Sequence, residues 1–263
     1  LTALQCLDLT SLNKDDTADK IQQLVEKGTV PETEIAAVCV YPEFIAAARQ
    51  AGAKNVATVI NFPLGTHVTA GTQLEDDLAT EKATLTNTQS AVRQAIADGA
   101  GEIDIVFDYA GFQAGDTDGP MSLLRAANEA CYDAAGQRIP LKVIVESAAF
   151  KTNDSLYEAC WQIAQEIGPE FLKTSSGKHP CGGATLEAGA TLMDAASQFG
   201  NIGVKISGGV KTNEHCAQYL ELARDMFHTD HITPAMLRFG ASGVLDDLLT
   251  ILRNDKDTTQ TGS

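Results

Sequence analysis

Three lysines stand within short apolar runs, where a lysine is least expected. Lys173 closes one such run in Glu170-Phe171-Leu172-Lys173-Thr174-Ser175-Ser176-Gly177-Lys178. Lys205 lies inside another, Val204-Lys205-Ile206-Ser207-Gly208-Gly209-Val210, and Lys142 inside a third, Leu141-Lys142-Val143. An ammonium removed from water is costly unless it is paired or gives up its proton. A lysine that has lost its proton can attack a carbonyl carbon and form an imine. The spacing equally permits a Lys173 whose stem packs while its amine reaches water. Two inward ammonium groups on neighbouring strands repel, so one of the pair Lys173 and Lys205 should be neutral near neutral pH. Asp104, in Glu102-Ile103-Asp104-Ile105-Val106-Phe107, adds a carboxylate that can pair with a lysine and relay protons through water, or serve only as a buried ion-pair member.

Two glycine-bearing stretches suit an anion. Ser207-Gly208-Gly209 and Gly240-Ala241-Ser242-Gly243 each follow an apolar run and are expected to open a helix. Glycine lets backbone N–H groups approach an anion, and a helix N-terminus favours negative charge. Phosphate sites after the last two strands recur in (β/α)8 barrels. Asp8, Cys39 and Asn61 are expected at the ends of the first, second and third strands, and each serves as well for packing or strand-end hydrogen bonding as for ligand contact. The five histidines, His67, His179, His215, His228 and His231, form no metal-binding spacing and read as surface or loop residues.

These residues need a scaffold, and the pattern around them supplies one. Apolar runs recur at Ala3–Leu7, Ile35–Val40, Asn55–Ile60, Glu102–Phe107, Leu141–Val145, Glu170–Leu172, Ile202–Ile206 and Met236–Phe239. They are nearly continuous rather than alternating, as expected of parallel strands covered on both faces. Between them the sequence predicts helices over Asp15–Lys27 (with Asn13 as a capping candidate), Pro42–Arg49, Gln89–Asp98, Met121–Ala135, Asp154–Ile167, Thr185–Gln198, Asn213–Phe227 and Val244–Arg253. Several of these are followed by glycine, the usual left-handed stop. Eight strands alternating with helices predict an α/β fold, a single TIM (β/α)8 barrel over residues 1–253 with a loose C-terminal tail, Asn254–Ser263. No G-x-G-x-x-G follows the first strand, which argues against a dinucleotide-binding sheet. The long, threonine-rich stretch His67–Thr88 reads either as an extra helix or as an extended lead-in to the helix at Gln89.

Composition narrows the function. The 263 residues carry a formal net charge of -16, which disfavours nucleic acid and anionic membranes as partners. An anionic substrate would then need local donors such as the two glycine loops. No run is apolar enough to span a bilayer and no secretory leader is visible, so a cytoplasmic protein is expected. Cys6, Cys39, Cys131, Cys160, Cys181 and Cys216 show neither C-x-x-C nor zinc-ligand spacing and read as buried free thiols.

The strings LDLTSL, AAVCVYPEF, NFPLG, GAGEIDIVF, LKVIVES, EFLKTSSGK, VKISGGV and RFGASG resemble, in order and over nearly the whole chain, the motifs of the deoxyribose-phosphate aldolase family. FLKTSSGK is highly specific, and LDLT after the first strand is similar to the gamma-proteobacterial branch. The resemblance implies a class I lyase of deoxyribonucleotide catabolism, acting on small phosphosugar and aldehyde substrates without metal or cofactor. By it, Lys173 is the Schiff-base lysine, Lys205 the lysine that depresses its pKa, and Asp104 the acid/base residue. Asp8 and Lys142 match residues near the sugar hydroxyls and the proton relay, and Cys39 an aldehyde-reactive thiol. Gly177, Lys178, Gly208, Gly209, Gly240 and Ser242 match the phosphate loops. A homodimer is the expected assembly. Three departures stand out: Ser242 is followed by Gly243 where the branch often has a second serine, no tyrosine follows Tyr219, and the 67–88 segment is longer than usual. Other readings are a Schiff-base barrel aldolase for another phosphosugar, a phosphosugar-binding barrel without catalysis, and a metal-dependent aldolase, the last disfavoured by the lack of a histidine–carboxylate cluster.

Overall fold

Eight parallel strands close into a barrel in which β1 pairs with both β2 and β8. The structure, a computed structural model, describes residues 1–31, 33–65 and 77–260, with the side chains of 77–83 and 254–260 left aside. The strands are β1 Leu7–Thr10, β2 Ala37–Val40, β3 Val56–Ile60, β4 Glu102–Val106, β5 Leu141–Ile144, β6 Phe171–Lys173, β7 Gly203–Ser207 and β8 Leu237–Ala241. The helices are α1 Thr2–Gln5, α2 Ala18–Gly28, α3 Ile45–Gln50, α4 Asp77–Ala97, α5 Tyr109–Gln113, α6 Asp118–Ala130, α7 Asn153–Glu166, α8 Leu186–Ser197, α9 Asn213–Phe227 and α10 Val244–Gln260. This is the TIM barrel expected from the alternation of runs.

Threonine side chains start four of the outer helices. Thr17, Thr152, Thr185 and Thr212 each sit in extended backbone and accept a hydrogen bond from an N–H of the first turn, satisfying one of the donors a helix leaves open. Thr17 therefore takes the capping role that the sequence reading placed at Asn13.

Side chains alternate across each strand, so every second residue enters the barrel. Ile103, Ile105, Val143, Leu172, Val204, Ile206, Leu237 and Phe239 belong to the large buried cluster shared with the helices. Ala37, Cys39, Ala57 and Val59 form a separate small cluster with Leu12, on the two strands that contribute no charge to the interior. The other strands fill the inside with ionic groups. Gly203 sits under the Phe171 ring, where a Cβ would lie 2.5 Å from a ring carbon.

Several sequence expectations shift. The run Ala3–Leu7 is not a strand: its first part is α1, whose buried Ala3 and Leu4 pack on the outer shell, and β1 begins at Leu7. A short apolar run fits a buried helix as well as a strand. Asp8 accordingly lies inside β1 rather than at its end. The helix expected to reach Ala135 stops at Ala130, and Tyr132 and Arg138 bridge the turn that follows. The helix expected from Gln89 begins at Asp77, and the remainder of the His67–Thr88 segment lies outside the described residues. The final helix continues to Gln260, through positions read as a loose tail. Among the described residues, no helix is long and apolar enough to cross a membrane.

Candidate active site

Register sets charged residues side by side on adjacent strands. Lys173 is aligned with Lys205, Lys205 with Arg238, and Asp104 with Lys142 on adjacent strands. Ion pairs that connect β1, β4, β5, β6, β7 and β8 can only form inside the barrel. Lys142 Nζ lies 2.8 Å from Asp104 Oδ1, 2.5 Å from Glu102 Oε2 and 3.4 Å from Asp8 Oδ2. Lys205 Nζ lies 2.6 Å from Asp8 Oδ2 and 2.8 Å from Asp104 Oδ2. Lys173 Nζ has a single carboxylate contact, donating to Asp104 Oδ2 at 2.7 Å. Below them the Arg238 guanidinium reaches Asp8 at 2.7 Å and Glu102 at 3.1 Å. It rests over the Phe171 ring, 5.2 Å from its centre, and donates through Nε to the Pro234 carbonyl.

The partners decide the protonation states. Burial pushes the Lys173 amine below the ordinary lysine range; Asp104 opposes this and the adjacent Lys205 ammonium reinforces it. Burial acts on Lys205 and Lys142 too, but Asp104 and Asp8 outweigh it at Lys205, and Asp104, Glu102 and Asp8 outweigh it at Lys142. Both stay charged, with raised pKa values. Burial would raise the Asp104 carboxyl, yet Lys142, Lys173 and Lys205 hold it well below its usual range. Asp8 is lowered in the same way, burial being overcome by Lys205, Lys142 and Arg238. Lys173 is thus the one lysine of the cluster driven towards the neutral amine. Repulsion by Lys205 contributes, as the sequence reading expected, but desolvation is the larger cause.

Lys173 is also the lysine with access to space. A cleft of about 460 Å³ is lined by Lys173, Gly177, Lys178, Gly208, Gly209, Gly240 and Ser242, together with Thr10, Asn13, Ser207 and Lys211. Lys142 and Lys205 are fully buried beneath it. Gly177, Gly208 and Gly209 have φ of +74°, +77° and +101°, a region that side chains rarely adopt. Gly240 is inside β8 rather than in a loop. A Cβ there would lie 2.1 Å from Ser207 Oγ and 3.0 Å from Lys205 Cε, so glycine makes room for the Lys205 stem. Only the β8 stretch leads straight into a helix; after Gly208 and Gly209 the chain runs on to Thr212 before α9 begins. Ser207 Oγ is buried without a hydrogen-bond partner.

Other expectations fall away from this cluster or refine it. Cys39 is buried in β2, and burial pushes its thiol up, so it rests protonated rather than as the reactive thiolate. Cys181 is exposed, unlike the other cysteines. Asn61 closes β3 with φ +55° and a buried, unpartnered amide. His67 lies outside the described residues, and among those described no group of histidine, cysteine and carboxylate side chains could hold a metal. Glu102 and Arg238 were not singled out from the sequence. The signal was present, since Arg238 is a cation in an apolar run like Lys205, and Glu102 precedes Asp104 by two residues and so faces the same side.

A family model for DeoC/LacD family aldolases matches residues 2–245. The chain belongs to the DeoC/LacD aldolase family. Solved structures agree with this assignment. A protein described as QR15, an aldolase, is similar at 25% identity with a TM-score of 0.73, over 94% of this chain and 96% of its own. A Coccidioides immitis protein assigned as a deoxyribose-phosphate aldolase is likewise 25% identical with a TM-score of 0.73, over 94% and 85% of the two chains. A Toxoplasma gondii ME49 protein of the same assignment shares the fold, with a TM-score of 0.78 at 21% identity over 98% and 93%. In this DeoC/LacD family aldolase, the buried lysine–carboxylate layer at the floor of the glycine-lined cleft is the candidate active site.

Proposed function

We propose that the protein reversibly cleaves 2-deoxy-D-ribose 5-phosphate to D-glyceraldehyde 3-phosphate and acetaldehyde through an imine on Lys173. The observation that carries this reading is that Lys173, alone among the three buried lysines, lines the cleft that the glycine loops also line. Its lowered pKa, caused first by burial, supports its role as nucleophile. The Lys173 amine adds to the aldehyde carbon of the open-chain sugar, and water leaves to give a protonated imine. That cation draws electrons as the bond between C2 and C3 breaks. The C3 hydroxyl gives up its proton and glyceraldehyde 3-phosphate departs. The remaining enamine takes a proton on carbon, and water hydrolyses the imine to free acetaldehyde and Lys173.

Asp104 touches the amino groups of all three lysines and is the natural route for these protons; Lys205 and Lys142 hold it in place, and Asp8 in turn holds those two lysines. Gly177, Gly208, Gly209, Gly240 and Ser242 would present backbone and hydroxyl donors to the phosphate, with Lys178 adding positive charge. Such local donors answer the net charge of -16, which otherwise repels an anion.

Borohydride reduction in the presence of acetaldehyde, followed by peptide mass mapping, tests the reading. A reduced adduct on the peptide carrying Lys173, absent without acetaldehyde, is expected. An adduct on Lys205 or Lys142 would overturn the choice of nucleophile, and no adduct on any lysine would overturn the imine mechanism.

A further inference from the structure

We propose that Arg238, through its ion pairs with Asp8 and Glu102, is a positioning residue that commits the barrel interior to one neutral lysine and so makes Lys173 the amine free to react. The inference rests on the imine reading above and extends it below the cleft, to a residue that touches no substrate.

Four cations, Lys142, Lys173, Lys205 and Arg238, meet three carboxylates, Asp8, Glu102 and Asp104. With every group ionised, the enclosed cluster carries one surplus positive charge, and an uncompensated buried charge is costly. Arginine does not surrender its proton in a protein, so the relief falls on a lysine. Lys142 touches all three carboxylates and Lys205 touches two. Lys173 touches only Asp104, on an oxygen it shares with Lys205. Lys173 therefore loses least by giving up its proton.

Arg238 is built to be the fixed cation. It engages Asp8 Oδ1 and Glu102 Oε1, the oxygens that the lysines leave free. Phe171 lies under the guanidinium and the Pro234 carbonyl accepts from its Nε, so its position is set from three sides. Without its charge, Asp8 and Glu102 would satisfy Lys205 and Lys142 more fully. Asp104 would then be left to hold a proton on Lys173.

The test is the pH dependence of the borohydride-trapped acetaldehyde adduct on Lys173, compared in the unaltered protein, Arg238→Met and Glu102→Gln. Arg238→Met balances three cations with three carboxylates, and the acid limb of adduct formation is expected to move up by about one pH unit or more. Glu102→Gln increases the surplus, and the limb is expected to move down. A residue that merely supports the fold would move neither limb, or both in the same sense, and either result overturns the proposal. Should Arg238→Met fail to fold, Glu102→Gln decides: a downward shift supports the proposal, and an unchanged or upward limb overturns it. An adduct in the unaltered protein with unmoved limbs in both variants overturns this inference alone. No adduct in the unaltered protein at any pH overturns the imine reading, and this inference with it.

Discussion

Lys173 and Lys205 converge on one oxygen: their Nζ atoms lie 2.7 and 2.8 Å from Asp104 Oδ2. Two fully charged ammonium groups sharing one carboxylate oxygen would repel strongly in this buried setting. The arrangement is stable because Lys205 has a second partner in Asp8 and Lys173 does not. The asymmetry separates a structural ammonium from a reactive amine.

That asymmetry predicts unequal stability losses for two substitutions of the same type. Lys205→Leu strips a partner from both Asp8 and Asp104 and should cost about 3–5 kcal/mol, as breaking a buried pair does. Lys173→Leu removes an amine that is already driven towards neutrality and one hydrogen bond, and should cost no more than about 1.5 kcal/mol. Its turnover should nonetheless fall on the order of 10⁴- to 10⁶-fold, as when other nucleophiles are removed. Denaturant unfolding and steady-state rates measured together check both; equal destabilisation would contradict the charge assignment.

Activity should fall on the acid side as Lys173 takes up its proton. Because burial and Lys205 lower that pKa, the amine is neutral above the depressed value and cationic below it. The limb of kcat/KM should therefore lie below the ordinary lysine range. Lys205→Met removes the repelling charge and leaves Asp104 to Lys173, so the same limb should rise. A pH–rate profile with no limb below the ordinary lysine range would contradict the assignment.

Acid should also weaken the fold. The folded pKa of Asp104 lies well below its unfolded value, so its contribution is fully present above about pH 4 and is lost as pH falls towards the folded value. Asp8 behaves alike. Chemical denaturation at successive pH values should show stability dropping in that window. In Asp104→Asn the drop should be shallower, from a lower starting stability.

Gly240→Ala should damage catalysis more than folding. The added methyl meets Ser207 Oγ and the Lys205 stem, and a displacement of about 1 Å near the reacting groups can cost roughly 10²-fold in rate. The check is kcat/KM beside thermal unfolding, with the prediction refuted if activity stays near that of the unaltered protein.

Lys178→Met should raise KM for a phosphorylated substrate about tenfold, the loss of one charge-assisted contact. It should leave the KM of a non-phosphorylated aldehyde unchanged. Lys178 lines the cleft and is exposed, so the fold should tolerate the change. Comparing the two KM values separates a phosphate contact from a general loss of activity.

Much of this site can be read from the sequence because its signals are local. A strand repeats every two residues, so Asp104 and Lys205 in apolar runs must face inward once those runs become strands. The glycines after Lys173 and Lys205 mark backbone of positive φ, and the one after Phe239 marks a place where a Cβ would meet Ser207. The same local logic fails where a pattern is degenerate: the run from Ala3 suits a buried helix as well as a strand, and packing against the outer shell makes it α1. The sequence by itself determined the order of the strands and put Asp104, Lys142, Lys173 and Lys205 on them. Only the tertiary structure decided which carboxylate oxygen each one shares, because that depends on barrel closure and on registers such as Lys173 with Lys205 and Lys205 with Arg238. Those pairings leave Lys173 with one shared oxygen and Arg238 with two carboxylates, a balance of buried charge that no local pattern records.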